Sequence, residues 1–411
     1  MSIRSRAHRA VACCLLFAPS LMAACKKRDD AGTDSRVGKL RMEVIVDPNY
    51  PGEDTAYFRF DPGFAGGWER VYPTAKQLAN HETVQTLSTT PPASSRLADA
   101  GILGVSSAVL AESTVVALFA GGVGSTTTES SRKAALYRAG ETPLNLQMTV
   151  GRSAQSMSRL AGQRILIAGG YGSATTVLRS SEIFSLSSLN FTASGLMRIG
   201  RASHAAATLP DGRVLITGGL VLVGAGPATQ ESAATELFDP AAGTFSDGPS
   251  LLSTRASHSA VSLADGRVLI VGGFGKRTAE VYTPSTGQIT SAGQTAIVHG
   301  DGHVALLLAN GKVLVIGGNV GGINPTPSIE LFDPTTGTFT TAGNLTVPRM
   351  RHSAVLLVDG TVLIAGGRTT GGDALRSAEL FNPATGQATP VANMPSASFG
   401  HASALVTTPD N

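Results

Sequence analysis

Cysteine is nearly absent from this 411-residue chain. The three residues, Cys13, Cys14 and Cys25, all fall within the first 25 positions. A disulfide framework and a Cys-based zinc site are therefore excluded from everything downstream. Charge is also scarce: Asp, Glu, Lys and Arg make up 15% of the chain, against about 25% in an ordinary soluble domain. No stripe of Lys and Arg interleaves with aromatics, which argues against a nucleic-acid partner. Apolar runs with a 3.6-residue period are missing after residue 30, so long amphipathic helices are not expected. Neither a phosphate-cradling P-loop nor a Gly-x-Ser-x-Gly nucleophile turn occurs in a suitable setting.

Glycine, by contrast, is abundant, at 48 residues. It supplies tight turns and close backbone approaches, and so favours an all-β fold. Hydrophobic residues are 42% of the chain, enough for a sizeable core. The formal charge of +3 matches Arg4, Arg6 and Arg9 at the start, and the rest of the chain is balanced.

Those arginines begin an export signal over residues 1–24. They are followed by an apolar stretch from Ala10 to Ala24, too short to span a bilayer comfortably. The run Leu21-Met22-Ala23-Ala24-Cys25 resembles a bacterial lipobox, with Met22 where Leu is commoner. The resemblance implies cleavage before Cys25 and a thioether from its sulfur to diacylglycerol. Acyl chains would then hold the protein to the membrane at about 0.8 kcal/mol per buried CH₂. Lys26 follows the lipid site in place of the Asp linked to inner-membrane retention, which points to the outer membrane. Residues 25–39 are polar and read as a flexible tether.

The rest of the chain is organised by a repeat. Gly-Gly pairs stand at Gly121, Gly169, Gly218, Gly272, Gly317 and Gly366, each pair ending an apolar run such as Val214-Leu215-Ile216-Thr217. Continuous rather than alternating apolarity marks a strand buried on both faces. A strand of small residues precedes it, as in His204-Ala205-Ala206-Ala207-Thr208-Leu209. The two are joined by Asp211-Gly212, Asp265-Gly266, Asn310-Gly311 or Asp359-Gly360, read as two-residue hairpin turns with both residues at positive φ. After a variable loop comes a third strand, as in Glu236-Leu237-Phe238. It runs into Asp239-Pro240-Ala241-Ala242-Gly243, a type I turn closed by a left-handed Gly. A fourth strand follows, centred on Phe245 or Phe339. Four antiparallel strands recurring at this period describe one propeller blade.

The pattern Arg-x-x-His, apolar strand, Asp-Gly, Val-Leu-Ile-x-Gly-Gly, Glu-Leu-Phe-Asp-Pro, Thr-Gly-x-Phe resembles the kelch repeat in its galactose-oxidase-like form, over residues 101–406. It implies a β-propeller of four-stranded antiparallel blades. Seven blades are expected, six being the alternative. Residues 401–406 repeat only the innermost strand. The segment 40–100 supplies Arg41–Val46, Ala56–Phe60 and Trp68–Tyr72 as the missing strands of a composite closing blade, with 73–100 as loop and 407–411 as a tail. The resemblance does not carry copper-radical chemistry, because that needs a Cys cross-linked to Tyr. The aspartate boxes of sialidases are missing too, and no cofactor is implied.

In such a blade, the connection between strands 2 and 3 and the connection to the next blade share one face. The loops there vary most, from Gly219–Glu236 to the much shorter Gly273–Glu280. Variable loops on a rigid frame are where binding concentrates. Arg152, Arg201, Arg255 and Arg349 should lie on that face, beside the channel mouth. They are the candidate ligand residues, a partial ring for a carboxylate or acidic glycan. Gly104, Gly300 and Ser398 interrupt the ring. The alternative reading has each Arg bonding loop carbonyls or the repeating Glu of its blade. His204, His258, His303, His352 and His401 recur at one repeat position, with Gln155 and Ser107 replacing them in the first units. Spread one per blade, they are expected to bond backbone rather than hold a metal; His299 and His303 lack further ligands. The functional expectation is a monomeric, lipid-anchored envelope scaffold that binds protein or glycan. The enzymatic alternative, a sugar isomerase or mutarotase at the channel mouth, would draw on Arg349 or Asp373.

Overall fold

A computed structural model describes residues 40–45, 57–60, 68–71, 106–111, 116–122, 130–138, 144–224, 226–357, 359–394, 397–401 and 403–407. The export signal, Cys25, the tether and the 73–100 stretch lie outside the described residues. All regular structure among the described residues is β-strand.

Six four-stranded antiparallel sheets are each cut from one consecutive stretch, spanning 106–147, 156–196, 205–247, 259–294, 304–344 and 353–391, here blades 1 to 6. Blade 3 shows the plan, with Ala205–Thr208, Val214–Thr217, Thr235–Asp239 and Thr244–Asp247 paired in order from inside to outside. One further four-stranded sheet draws on both ends of the chain. Leu40–Ile45 pairs with Tyr57–Phe60 on one side and with Ser403–Thr407 on the other, and Trp68–Val71 completes the outer edge. Its inner strand, Ser403–Thr407, touches the inner strands of blades 6 and 1. The circle of inner strands therefore closes, and each sheet is left with only a short outer strand as its edge toward solvent.

The doubly apolar second strands follow from this circle. Val214–Thr217 is fully buried. Val214 and Ile216 pack against Leu166 and Met197 of blade 2, while Leu215 packs with Val268 and Ile270 of blade 4. Alternate side chains of one strand thus fill two different interblade cores. Each aliphatic side chain buried this way contributes about 1.5–3 kcal/mol. Phe238 and Phe245, directly opposite in the register, add a tilted ring contact with centroids 4.8 Å apart, and Phe332 with Phe339 repeats it in blade 5.

The Gly-Gly pair does more than end the buried strand. A Cβ on Gly218, the first of its pair, would lie 2.8 Å from Cε1 of His258 in the next blade and closer still to the Arg255 carbonyl oxygen. Gly169, Gly272, Gly317 and Gly366 seat the next histidine in the same way. The second glycine donates its N–H to that next blade: Gly170 to Arg201 O (2.9 Å), Gly219 to Arg255 O (2.9 Å), Gly318 to Arg349 O (3.0 Å). The pair is the interlock between neighbouring blades.

The Asp-Gly turns correct one expectation. Leu209 N–H donates to the Arg213 carbonyl (2.8 Å) and Gly212 N–H to the Leu209 carbonyl (2.9 Å), and only Gly212 of the Asp-Gly pair has positive φ, +85°. These are three-residue loops closed by a left-handed Gly, because the strand pairing ends one step earlier than a two-residue turn requires. The Asp-Pro-x-x-Gly turns form as expected, with Gly243 at φ +67° and Asp239 Oδ1 accepting the Ala241 N–H at 2.8 Å.

Candidate binding site at the channel mouth

The four arginines singled out in the sequence lie beneath the mouth rather than in it. Arg152, Arg201, Arg255 and Arg349 are each 0% exposed. Arg201 Nη1 donates to the carbonyls of Gly218 (2.6 Å) and Ala234 (2.9 Å), and Nη2 to Glu236 Oε1 (2.8 Å). Glu236 also accepts the backbone N–H groups of Arg198 and Ile199. The same brace joins Arg152 to Glu182, Arg255 to Glu280 and Arg349 to Glu379. Each guanidinium ties the incoming connector to the second and third strands of its blade. The ligand ring is corrected on this point: the side chains are buried and their Nη donors are spent on the frame, as the alternative reading anticipated. In blade 5 the role falls to His299, not to the Gly300 position. Its Nδ1 contacts Gly317 O (2.7 Å) and its Nε2 contacts Glu330 Oε1 (3.1 Å).

Above the brace, the connectors open into a cavity of about 330 Å³ on the channel axis. It is lined by His204, His258, His303, His352 and His401, with Gln155 at the equivalent place in blade 2. Three of the histidines bond a hydroxyl of the preceding blade, and the expected backbone contact is made as well, at Arg201 by His204, Arg349 by His352 and Ala365 by His401. His204 Nε2 meets Ser156 Oγ (2.8 Å), His258 Nε2 meets Thr217 Oγ1 (2.8 Å) and His401 Nε2 meets Ser353 Oγ (2.9 Å). His303 Nδ1 bonds Gly300 O (2.7 Å). Nδ1 of His204, His258 and His401, Nε2 of His303 and both ring nitrogens of His352 are buried and not open to the cavity. Burial drives these imidazoles toward the neutral form. His204 falls to about 3, and His303 and His401 to about 4; His258 and His352 shift the same way, again chiefly through burial.

The rim is a set of residues in the left-handed region, unusual for anything but Gly. Ala154, Ser203, Ser257 and Arg351 have φ of 52°, 51°, 52° and 54°, and Gly302 and Gly400 occupy the matching places. Backbone hydrogen bonds between blades hold them there: Ser203 N–H to Ala154 O (2.9 Å), Ser257 N–H to Ser203 O (2.8 Å), Arg351 N–H to Gly302 O (2.7 Å) and Gly400 N–H to Arg351 O (2.7 Å). Nothing in the repeat pattern announced this belt.

One pair breaks its symmetry. Every other described rim position carries a small residue, but blade 6 carries Arg351. Blade 5 contains an extra residue before its inner strand, His299-Gly300-Asp301-Gly302-His303 against Arg201-Ala202-Ser203-His204, and so presents Asp301. Arg351 Nε and Nη2 both reach Asp301 Oδ2, at 2.7 and 2.6 Å, with side-chain exposures of only 10% and 14%. Arg351 Nη1 is buried and has no protein partner. A side chain at Gly302 would collide with Arg351, so Gly302 is what lets the arginine cross. Sequence reading missed this pair; the signals were the inserted residue and the one large side chain at a small position. Asp373 is exposed in the blade 6 loop, Arg349 is buried, and neither lines the cavity.

The geometry agrees with the comparisons. The kelch motif matches residues 303–346, the whole of blade 5. The fold is a kelch-type β-propeller. The solved structure of a fungal alcohol oxidase of the AA5 family, in complex with copper, is similar at 21% identity and a TM-score of 0.57, over 72% of this chain and 67% of that one. The structure of YjhT is similar at 15% identity and a TM-score of 0.55, over 71% of this chain and 97% of that one. At these identities the likeness is one of kelch fold. No curated protein matches by sequence. Copper does not fit the residues present: this kelch propeller has no cysteine, and the described residues hold no group of three His, Cys, Asp or Glu placed to bind a metal.

Proposed function

We propose that this protein is an exported, membrane-tethered binding propeller that captures a small polar ligand at the mouth of its central channel. The reading is carried by one observation: polar side chains from several blades, the Asp301–Arg351 pair among them, converge on a single cavity. The cavity's volume sits at the small end of ligand sites, roughly 300–1,000 Å³. Ile199, Leu222, Val223, Leu252, Val320 and Ile323 are exposed apolar side chains on connections of the variable-loop face. They give a larger protein or glycan partner a surface to rest on.

The ligand reading is tested by screening small polar metabolites against the full-length protein in detergent by thermal shift. Histidine-ring ¹⁵N NMR then locates each hit. Compounds that raise Tm should move the mouth histidine resonances; a set of hits that leaves all of them in place would refute the site. The tether is tested separately. Cys25→Ser should abolish palmitate incorporation and release the protein from the envelope membrane, the outer membrane on the reading of Lys26. Membrane attachment that persists in this variant would overturn the lipid anchor.

A further inference from the structure

We propose that Asp301 and Arg351 are the selective element of the channel mouth, and that the cavity takes a small uncharged ligand rich in hydroxyl or amide groups while rejecting the anion of the same shape. This rests on the channel-mouth reading above and adds the chemical class of what is bound.

The charges at the mouth cancel. Arg351, the one cation lining the cavity, already faces Asp301 through two contacts. The lining histidines are held neutral by burial. Beneath them, Arg152, Arg201, Arg255 and Arg349 are each matched by a buried glutamate. In blade 5 His299 stands beside Glu330 in place of the arginine. An anion entering the cavity would meet no unmatched cation to offset the hydration it gives up there. Hydrogen-bonding capacity is available instead. Asp301 spends Oδ2 on both contacts to Arg351, leaving Oδ1 as an acceptor. The hydroxyls of Ser203 and Ser257, which also line the cavity, add groups that both donate and accept. Hydroxyls and amides answer both kinds of group, and a carboxylate answers only donors.

The pair has the marks of selection rather than of frame. Its two residues come from adjacent blades, one through an insertion and one at a position that is small elsewhere in the described rim. The blade-to-blade backbone bond from Arg351 N–H to Gly302 O is made without either side chain.

Glucuronamide and glucuronate differ only in amide against carboxylate and serve as the probe pair, titrated calorimetrically into the full-length protein with histidine-ring NMR as the locator. The amide should bind at least tenfold tighter and move the mouth histidines. In Asp301→Asn, which leaves Arg351 uncompensated, the preference should reverse toward glucuronate. In Arg351→Ala, both should weaken at least tenfold with Tm within a few degrees of wild type. Tighter or equal binding of glucuronate to the wild type overturns the proposal, as does an unchanged preference in Asp301→Asn. Failure of both probes to move the histidines, while other screened compounds do, also overturns it and leaves the channel-mouth reading intact. If nothing moves them, that reading fails as well.

Discussion

Replacing Gly218 with Ala tests the interlock between blades, because the cost divides into two parts with different origins. Gly218 has φ of +57°, so any L-residue there carries a left-handed strain of about 1–2 kcal/mol. The new methyl would also stand 2.8 Å from His258 Cε1, 3.3 Å from Ser232 O and nearer still to Arg255 O. Arg255 O cannot retreat freely, since it accepts the Gly219 N–H at 2.9 Å. Overpacking against fixed backbone costs about 1–3 kcal/mol. Gly287 supplies the control. Its φ is +68° and nothing lies within 4 Å of where a methyl would stand, so Gly287→Ala should show the strain alone. Equilibrium unfolding in guanidinium chloride, followed by far-UV circular dichroism, should place Gly218→Ala about 2–5 kcal/mol below wild type and Gly287→Ala about 1–2. The slope against denaturant should be unchanged in both. Equal losses for the two variants would refute the interlock and leave the Gly-Gly pair as nothing more than a strand end.

The buried braces should behave as coupled pairs. Arg201→Met leaves Glu236 charged and buried and should cost about 3–5 kcal/mol, most of it recovered in Arg201→Met with Glu236→Gln; binding at the mouth should not change, and a binding loss without a stability loss would reinstate the arginine as a ligand group. Stability should fall on mild acidification. The folded-state pKa values of His204, His303 and His401, about 3, 4 and 4, lie below the unfolded value of about 6.5. The unfolded chain therefore binds protons first. Stability is full above pH 6.5 and declines as pH drops from there toward 4, by up to about 1.4 kcal/mol per pH unit for each histidine. Tm should be flat from pH 7 to 8 and drop steadily between 6.5 and 5; a Tm constant down to pH 5 would contradict neutral, buried imidazoles.

Much of the frame is legible because the repeat states each requirement several times. Val214–Thr217 and its counterparts read as doubly buried strands, and they are, because each strand serves two interblade cores. Glu236 and its counterparts read as part of a third strand, yet their role as acceptors for a connector and a guanidinium was only half visible. That role depends on Arg198 and Ile199 arriving from the preceding blade, and no local pattern fixes such an approach. The Asp-Gly turns misled for a related reason. The dipeptide permits a two-residue turn, but where the ladder stops is decided by Leu209 pairing with Arg213.

The same averaging that exposes the frame hides the site. A residue found in every blade answers a demand that every blade makes, which is why the recurring arginines turned out to be braces. Chemistry at the channel axis has to be carried by what one blade has and the others lack. Asp301 and Arg351 are that kind of departure, but they stand 50 residues apart, and each alone looks like ordinary drift within a repeat. They become a pair only once blades 5 and 6 are neighbours on a closed circle and Gly302 clears the path between them. The inserted residue was readable; its partner was not, because partnership across a propeller mouth is fixed by the closure of the ring and not by any spacing along the chain.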